Sequence, residues 1–406
     1  MTEGFASAPE SLRHQVKPRA HKPAVDAEQV QEQWLSQFQT LEDPRGKQGQ
    51  EHAFESIVSI AILAALGGAT GWEDIELYAV SHQSWLETFL DLRNGIPHAD
   101  TYRRVFERLN PAALQQCFLS WIANVVEQTG AQVIPIDGKR LKGSYDRSKN
   151  QSALHVVSAW ASENRFMLGQ VKVENKSNEI TAIPALLELL DITGCIITID
   201  AMGTQTDIAK RIVDKEADYV LSLKANHPTL SAQVKQWFET AQNQGFEGIE
   251  HSHDRRVEAA HHRQEIRQVW AVPVSQMGEL YKQQQWVGLK TVVMVVRVRH
   301  LWNRTTREVQ FYLSSLPCDA QRIGRAIRQH WSIENQLHWV LDVSFGEDNS
   351  RIRNGHSPEN FTLLRRMAIS LLNQENSFKR SLKQKAKRAA MDNGYMLQVL
   401  SAASLH

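Results

Sequence analysis

Two stretches decide the fold: Val133-Ile134-Pro135-Ile136-Asp137-Gly138 and Ile196-Ile197-Thr198-Ile199-Asp200-Ala201. Each is a short apolar run that ends in a carboxylate and continues into a small residue. Runs of this length and composition read as buried strands. A charge at the end of a buried strand costs several kcal/mol unless it is paired or bound to metal. Two such ends on adjacent strands would bring both carboxylates to one sheet edge, a place suited to hard divalent cations. The plainer alternative stays open, because Asp before Gly is also a common turn residue.

Working outward, further β-rich runs are Val133–Ile136, His155–Trp160, Phe166–Val173, Cys195–Ile199 and Tyr219–Leu223. Helical patterns near Ile183–Leu190 and Thr206–Lys215 separate the later ones. The order is three strands, helix, strand, helix, strand. The first three can form an antiparallel meander, and the later ones need crossover helices. The fold class is therefore α/β, a mixed sheet flanked by helices.

The remaining chain divides by texture. Residues 1–27 are polar, carry three prolines and read as a disordered arm. Residues 28–129 are patterned as helices, with Ile57, Ile60, Ala61, Ala64 and Ala65 on one face. They predict an all-helical N-terminal domain. Residues 130–376 carry the sheet, interrupted at about 228–317 by a β-rich insertion that opens with a polar helical stretch. Residues 377–406 form a basic helical tail.

A third acid is Glu334. Ile327, Glu334 and Leu341 are seven residues apart, nearly two helical turns, so they share a face. A carboxylate in that stripe wants a partner, either metal shared with Asp137 and Asp200 or a salt bridge to Arg325 or Arg328. Three carboxylates holding two magnesium ions would make a phosphoryl-transfer site, with the ions about 3.5–4 Å apart. The chain has no P-loop, no nucleophile elbow and no H-E-x-x-H motif to offer a rival chemistry.

Composition sets further bounds. The 406 residues carry 46 basic and 45 acidic side chains, a formal net charge of +1. That excludes a globally polycationic nucleic-acid coat but not a local basic face. Residues 138–149 hold five basic side chains against one acidic, and residues 351–388 hold ten against two. Three scattered cysteines give no disulfide framework. The longest apolar run, 57–69, is too short to span a bilayer. These features predict a cytoplasmic protein, nucleoid-associated if it binds DNA, with no membrane partner.

Eight motifs, taken together, carry a family likeness: DPRGKQGQEHAF (43–54), GIPHADTYRRVFERLNP (95–111), IPIDGKRLKGSYD (134–146), KSNEITAIPALLELLD (176–191), TIDAMGTQTDIAKRI (198–212), ADYVLSLKANHPTL (217–230), HWSIENQLHWVLDVSFGEDNSRIR (330–353) and RRMAISLL (365–372). In these the chain resembles the DDE transposases of bacterial insertion sequences, of the ISAs type that includes the H-repeat-associated proteins. The resemblance implies an RNase H-like core, magnesium dependence (two ions, with manganese as a substitute), and cleavage and strand transfer at element ends. It places the catalytic acids at Asp137, Asp200 and Glu334. It implies double-stranded DNA as partner, both terminal inverted repeats and target, and a homodimer in the synaptic complex. The chain departs at Lys224-Ala225-Asn226-His227, where relatives usually read KGNQ. It also departs at Ile327, His330 and Leu341, where the wider superfamily often has Tyr, Arg and Lys.

DNA contacts are expected from Lys139, Arg140, Lys142 and Lys224, with Arg147 and Lys149 beside them, and from Arg328 and His338 near the third acid. Each basic loop could equally be a solvated face. His251, His253, His261 and His262 read as a surface cluster rather than a zinc site, and Trp331 and Trp339 as core packing. Two other functions remain: an inactive DNA-binding relative, which would bind without metal-dependent cleavage, and an RNase H-like nuclease, which would prefer RNA–DNA hybrids.

Overall fold

The computed structural model describes residues 27–46, 50–127, 132–145, 152–174, 177–260, 263–301 and 303–402. Of the arm expected at 1–27, residues 1–26 lie outside these and Ala27 begins the first helix; Arg147, Lys149, His261 and His262 also lie outside.

A single nine-stranded sheet organises the molecule, in the order β3-β2-β1-β4-β5-β9-β8-β7-β6. The first five strands are β1 (Val133–Arg140), β2 (His155–Ala161), β3 (Phe166–Lys172), β4 (Ile196–Ile199) and β5 (Asp218–Leu223). β1, β2 and β3 form an antiparallel meander, and β1, β4 and β5 run parallel. That order and direction is an RNase H-like arrangement. The parallel strands read as continuous apolar runs because both faces are covered; all four residues of β4 are buried.

The insertion does not form a module of its own. After a helix at Pro228–Asn243 it contributes β6 (Ser252–Ala260), β7 (Arg263–Pro273), β8 (Thr291–Leu301) and β9 (Arg304–Ser314). β9 pairs antiparallel with β5, so these strands extend the same sheet. In β8 the first six residues are buried and the last five only half-buried. The ribbon therefore runs out past the layer that covers it.

Helices are numbered in chain order as α1 (Ala27–Ser36), α2 (Phe54–Leu66), α3 (Trp72–Ser81), α4 (Gln83–Leu86), α5 (Ala99–Arg108), α6 (Pro111–Glu127), α7 (Glu179–Leu189), α8 (Thr206–Asp214), α9 (Pro228–Asn243), α10 (Ala320–Ser332), α11 (Trp339–Phe345), α12 (Ser357–Gln374), α13 (Leu382–Ala389) and α14 (Asn393–Ala402). α7 and α8 make the crossovers to β4 and β5. The Asn178 side chain caps α7 by accepting from the Ile180 amide at 3.1 Å. α12 is the hub: it packs on β3 and on α2, α5 and α6. Its buried Asn360 donates to the carbonyls of Phe106 (2.8 Å) and Leu109 (2.9 Å), tying the N-terminal helices to the sheet. α2 is apolar all round because it is buried all round.

The basic C-terminal stretch is not simply a solvated face. Lys385 is buried, and its ammonium donates to the Leu372 carbonyl at 2.8 Å and to the Glu375 carbonyl. Among the described residues no helix is long and apolar enough to cross a membrane.

Candidate active site

The β1–β4 register aligns Ile136 with Ile199. The next residues, Asp137 and Asp200, therefore leave neighbouring parallel strands at the same level. Asp200 follows the last residue of β4 and closes a tight turn, its Oδ1 accepting from the Met202 (3.0 Å) and Gly203 (3.2 Å) amides. A Cβ at Gly203 would lie 2.4 Å from Ile199 Cγ2, so the turn needs glycine for close approach. Asp137 does not end its strand: β1 continues to Arg140, paired with β2. The carboxylate thus sits on a fixed strand position rather than on a turn.

Glu334 comes to the same place by a different route from the one its spacing predicts. α10 passes into a π-helical turn, Ile333–His338, before α11. Wider i→i+5 turns shift the faces of a helix and recur at functional sites. Here Ile333 and Leu337 are buried, while Glu334 is exposed at the cavity rim. Among the described residues no cation pairs with Glu334; Arg328 instead meets Glu258 at 3.1 Å.

Asp137, Asp200 and Glu334 line one cavity of about 160 Å³, together with Lys224, His330 and Trp331. Burial pushes the Asp137 carboxyl up to about 7, against the Gly138 amide; the negative charges of Glu179, Asp200 and Glu334 add to the rise. Burial also raises Asp200, opposed by the Gly203 amide, and Glu179 adds to it. Crowded carboxylates of this kind lose less on ionising when a cation joins them.

Glu179 is the residue that sequence reasoning missed. It stands in the first turn of α7, its Oε1 2.9 Å from His155 Nε2, and both side chains are nearly buried. A Cβ on Gly138 would lie 2.1 Å from Glu179 Oε1, so the carboxylate lies over the residue next to Asp137. Acids in a first helical turn are ordinary, since they complement the helix dipole. That ordinariness hid it.

The donor set, all carboxylate oxygens, suits a hard divalent cation. Among the described residues no three acid, His or Cys side chains are already gathered at ligating distance. The acids surround the position without closing on it.

The expected DNA-contact residues are not equivalent. Lys139 is buried, its ammonium 2.7 Å from Asp342 and 3.7 Å from Asp348. Lys142 is exposed but held to Asp348 at 2.9 Å. Arg140 and Lys224 are exposed, Lys224 at the cavity. His338 lies inside, Nδ1 3.6 Å from Asp137 Oδ2, and burial lowers it to about 3, with Arg366 and Lys139 adding. His330 shares a hydrogen bond with the Thr198 hydroxyl at 2.9 Å, and burial lowers it to about 4. Both imidazoles are therefore neutral near pH 7, so neither brings a phosphate-binding charge. The divergent Asn226-His227 pair is tied to the turn after Asp200: Asn226 donates to the Ala201 carbonyl, and His227 Nε2 lies 2.7 Å from the Thr204 carbonyl. Trp331 lines the cavity, but Trp339 is exposed, not core. His253 stacks on Trp270 in the extended sheet, ring centroids 4.7 Å apart.

Comparison with known proteins identifies the family. Residues 128–371 match the family described as "Transposase DDE domain", and residues 35–122 match one described as "DDE_Tnp_1-associated". The chain is 38% identical to the "H repeat-associated putative transposase YhhI" of Escherichia coli K12, over 87% of this chain and 94% of that protein. It is 37% identical to the "Putative transposase YncI" of Escherichia coli O157:H7, over 91% of this chain and 95% of that one. A piggyBac transposase in a synaptic complex with hairpin DNA superimposes with a TM-score of 0.43 at 10% identity, covering 95% of this chain and 82% of that one. The chain belongs to the transposase DDE domain family and is a DDE transposase.

Proposed function

We propose that Asp137, Asp200 and Glu334 are the three acids of this transposase and hold two magnesium ions, with manganese able to substitute, while it cleaves insertion-sequence ends and joins them to target DNA. The observation that carries this is the β1–β4 register, which sets Asp137 beside Asp200 in a cavity that Glu334 also lines. When bound, the ions supply the charge neutralisation and activation that in-line displacement at phosphorus requires. The protein supplies position. The paired strands fix Asp137, the Met202 and Gly203 amides orient Asp200, and the π turn aims Glu334. Asp137 must release its proton to act as a ligand, and its raised value makes that step sensitive near neutral pH. Lys224, exposed at the cavity, and Arg140, exposed at the end of β1, are suited to phosphates of the bound DNA.

Residues 28–129 serve as the DNA- or partner-binding domain and 130–376 as the catalytic domain, with two protomers joining two element ends. The test is magnesium-dependent nicking of duplex DNA carrying the element end. Asp200→Asn should reduce nicking at least a hundredfold while leaving DNA binding in place. Undiminished nicking by that variant would overturn the assignment.

A further inference from the structure

Away from the catalytic cavity, a cleft of about 690 Å³ opens between the N-terminal helices and the segment linking α11 to α12. Its walls bring three arginines together: Arg103 from α5, and Arg351 and Arg353 from the linking segment. Among the described residues, Glu73 is the one carboxylate on the wall. Arg103 is shared with Asp100 (2.9 Å) and Glu107 (3.6 Å), and the Arg353 Nε donates to the Gly143 carbonyl at 3.2 Å. Arg351 is exposed, and among the described residues no carboxylate pairs with it.

Two helices start at this cleft. α3 begins at Trp72 and α12 at Ser357, and both first residues are in the wall. At α12 the Ser357 and Asn360 amides are taken by the Asn354 and His356 carbonyls and residue 358 is proline, so it is the dipole that favours an anion, against the first-turn acids Glu73, Asp74 and Glu359. Two buried groups point the same way. Ser357 is 1% exposed, and its hydroxyl has no hydrogen-bond partner among the described residues. Beneath the wall, Arg365 and Arg366 are both buried but share one buried carboxylate, Glu347, which pairs with Arg366 at 3.0 Å. Arg365 donates to the carbonyl of Thr70, a wall residue, at 3.2 Å, and its Nε has no partner among the described residues. The Arg365 guanidinium lies over the Phe361 ring, 4.4 Å from its centroid, and has only the distant charge of Glu347, which Arg366 already pairs, so an anion nearby would favour it.

We propose that this cleft seats a phosphodiester of the bound DNA strand, between Arg351, Arg103 and the N-terminus of α12. The proposal rests on the transposase reading for the identity of its anion. It gives the N-terminal helices a specific part in DNA binding. The cleft is joined to the catalytic strand by short contacts: the same linking segment holds Lys142 through Asp348 and the Gly143 carbonyl through Arg353. A phosphate seated here would therefore bear on backbone that continues directly from Asp137.

The test is fluorescence anisotropy of a labelled mixed-sequence duplex with the full-length protein in chelator, over a series of salt concentrations. Losing one phosphate contact should lower the salt slope by about 0.9, equivalent to about eightfold weaker binding near 0.1 M salt. Arg351→Ala should show that loss, and Arg351→Lys should restore most of the slope. Lys235→Ala, an exposed lysine on α9, should show little change. Equal affinity and slope for wild type and Arg351→Ala would overturn the proposal, as would an equal loss in Lys235→Ala. A second arm uses inorganic phosphate against chloride at matched ionic strength. Phosphate that raises the Tm of wild type but not of Arg351→Ala, with the duplex slope unchanged between them, would make the seat one for free phosphate and overturn the DNA assignment. Wild-type protein that nicks element-end DNA while Arg351→Ala binds duplex normally refutes the cleft alone; wild-type protein that never nicks refutes the transposase chemistry instead.

Discussion

Replacing Asp137 with Asn should stabilise the metal-free protein, and by an amount that grows with pH. Burial raises this carboxyl from 3.8 to about 7, and three neighbouring acids add to the rise. A raised folded-state value means the native protein holds a proton that the unfolded chain releases. Stability from this group is therefore fully present below pH 3.8 and is lost as pH rises to about 7. The slope in that window is about 1.4 kcal/mol per pH unit, so the full loss is about 4 kcal/mol. The Asn variant cannot ionise and should lack this slope. The assay is urea unfolding of both proteins in chelator at several values between pH 4 and pH 8. The stability gap should widen by about 2–3 kcal/mol between pH 5 and pH 7. Saturating magnesium should shrink the gap, since an ion that binds only the native wild type stabilises it by mass action. A gap constant with pH would show that Asp137 is ionised throughout in the native state, and the argument from crowded, desolvated acids would fail.

Four other substitutions probe the surroundings. Gly138→Ala places a Cβ 2.1 Å from Glu179 Oε1 and 2.8 Å from His155 Nε2, so it should push Glu179 aside and lower nicking at least tenfold while the far-ultraviolet circular dichroism stays native. Glu179→Gln should raise the magnesium concentration for half-maximal nicking severalfold without lowering Tm; an unchanged magnesium dependence would leave Glu179 only a partner for His155. Lys139→Ala strands Asp342, while Asp348 keeps Lys142, and chemical denaturation should show a loss of about 2 kcal/mol, less than for a fully buried pair because Asp342 is partly exposed. Gly143→Ala sets a Cβ 2.3 Å from the Ser350 carbonyl oxygen, a backbone atom with little room to yield, and should lower Tm by several degrees.

The parts of the fold legible in sequence were those governed by local pattern. β4 and β5 read as apolar runs because parallel central strands are covered on both faces, and the observed ranges start within a residue of the expected ones. The insertion was harder. Its strands were visible, but nothing local says that β9 returns to pair with β5, so one continuous sheet looked like a separate module. Asp137 and Asp200 were legible because a charge after an apolar run is conspicuous. Glu334 was located by an argument about a regular 3.6-residue face, and the π turn removes that premise: the side chain is at the rim, not in the apolar stripe. Lys139 and His338 illustrate a different limit. Sequence gives a side chain's charge but not its partners, and both are turned inward, one to two aspartates and one to Asp137.

That inward turn changes where DNA can be gripped. The basic run after β1 looks like a phosphate-binding loop, yet Lys139 is already neutralised by Asp342 and Asp348, and Lys142 shares the second of them. Those two acids sit on α11 and on the linking segment just beyond it, so the basic run works as a clasp between β1 and the helix that carries Glu334. Such a clasp holds β1 against α11 and so bears on the separation of Asp137 and Glu334, which the sheet alone does not control. Asp137 and Asp200 are fixed to each other by strand register, whereas Glu334 depends on how the segment at 333–348 is held. On the proposed reading, charge for the DNA comes from side chains that pair with no acid among the described residues. Lys224 stands at the cavity, Arg140 is exposed at the end of β1, and Arg351 stands at the cleft on the far side of the clasp. A near-neutral chain can bind a polyanion in this way because its bases play two separate roles. Some hold α11 against β1, and those that pair with no acid among the described residues are the ones available to phosphates.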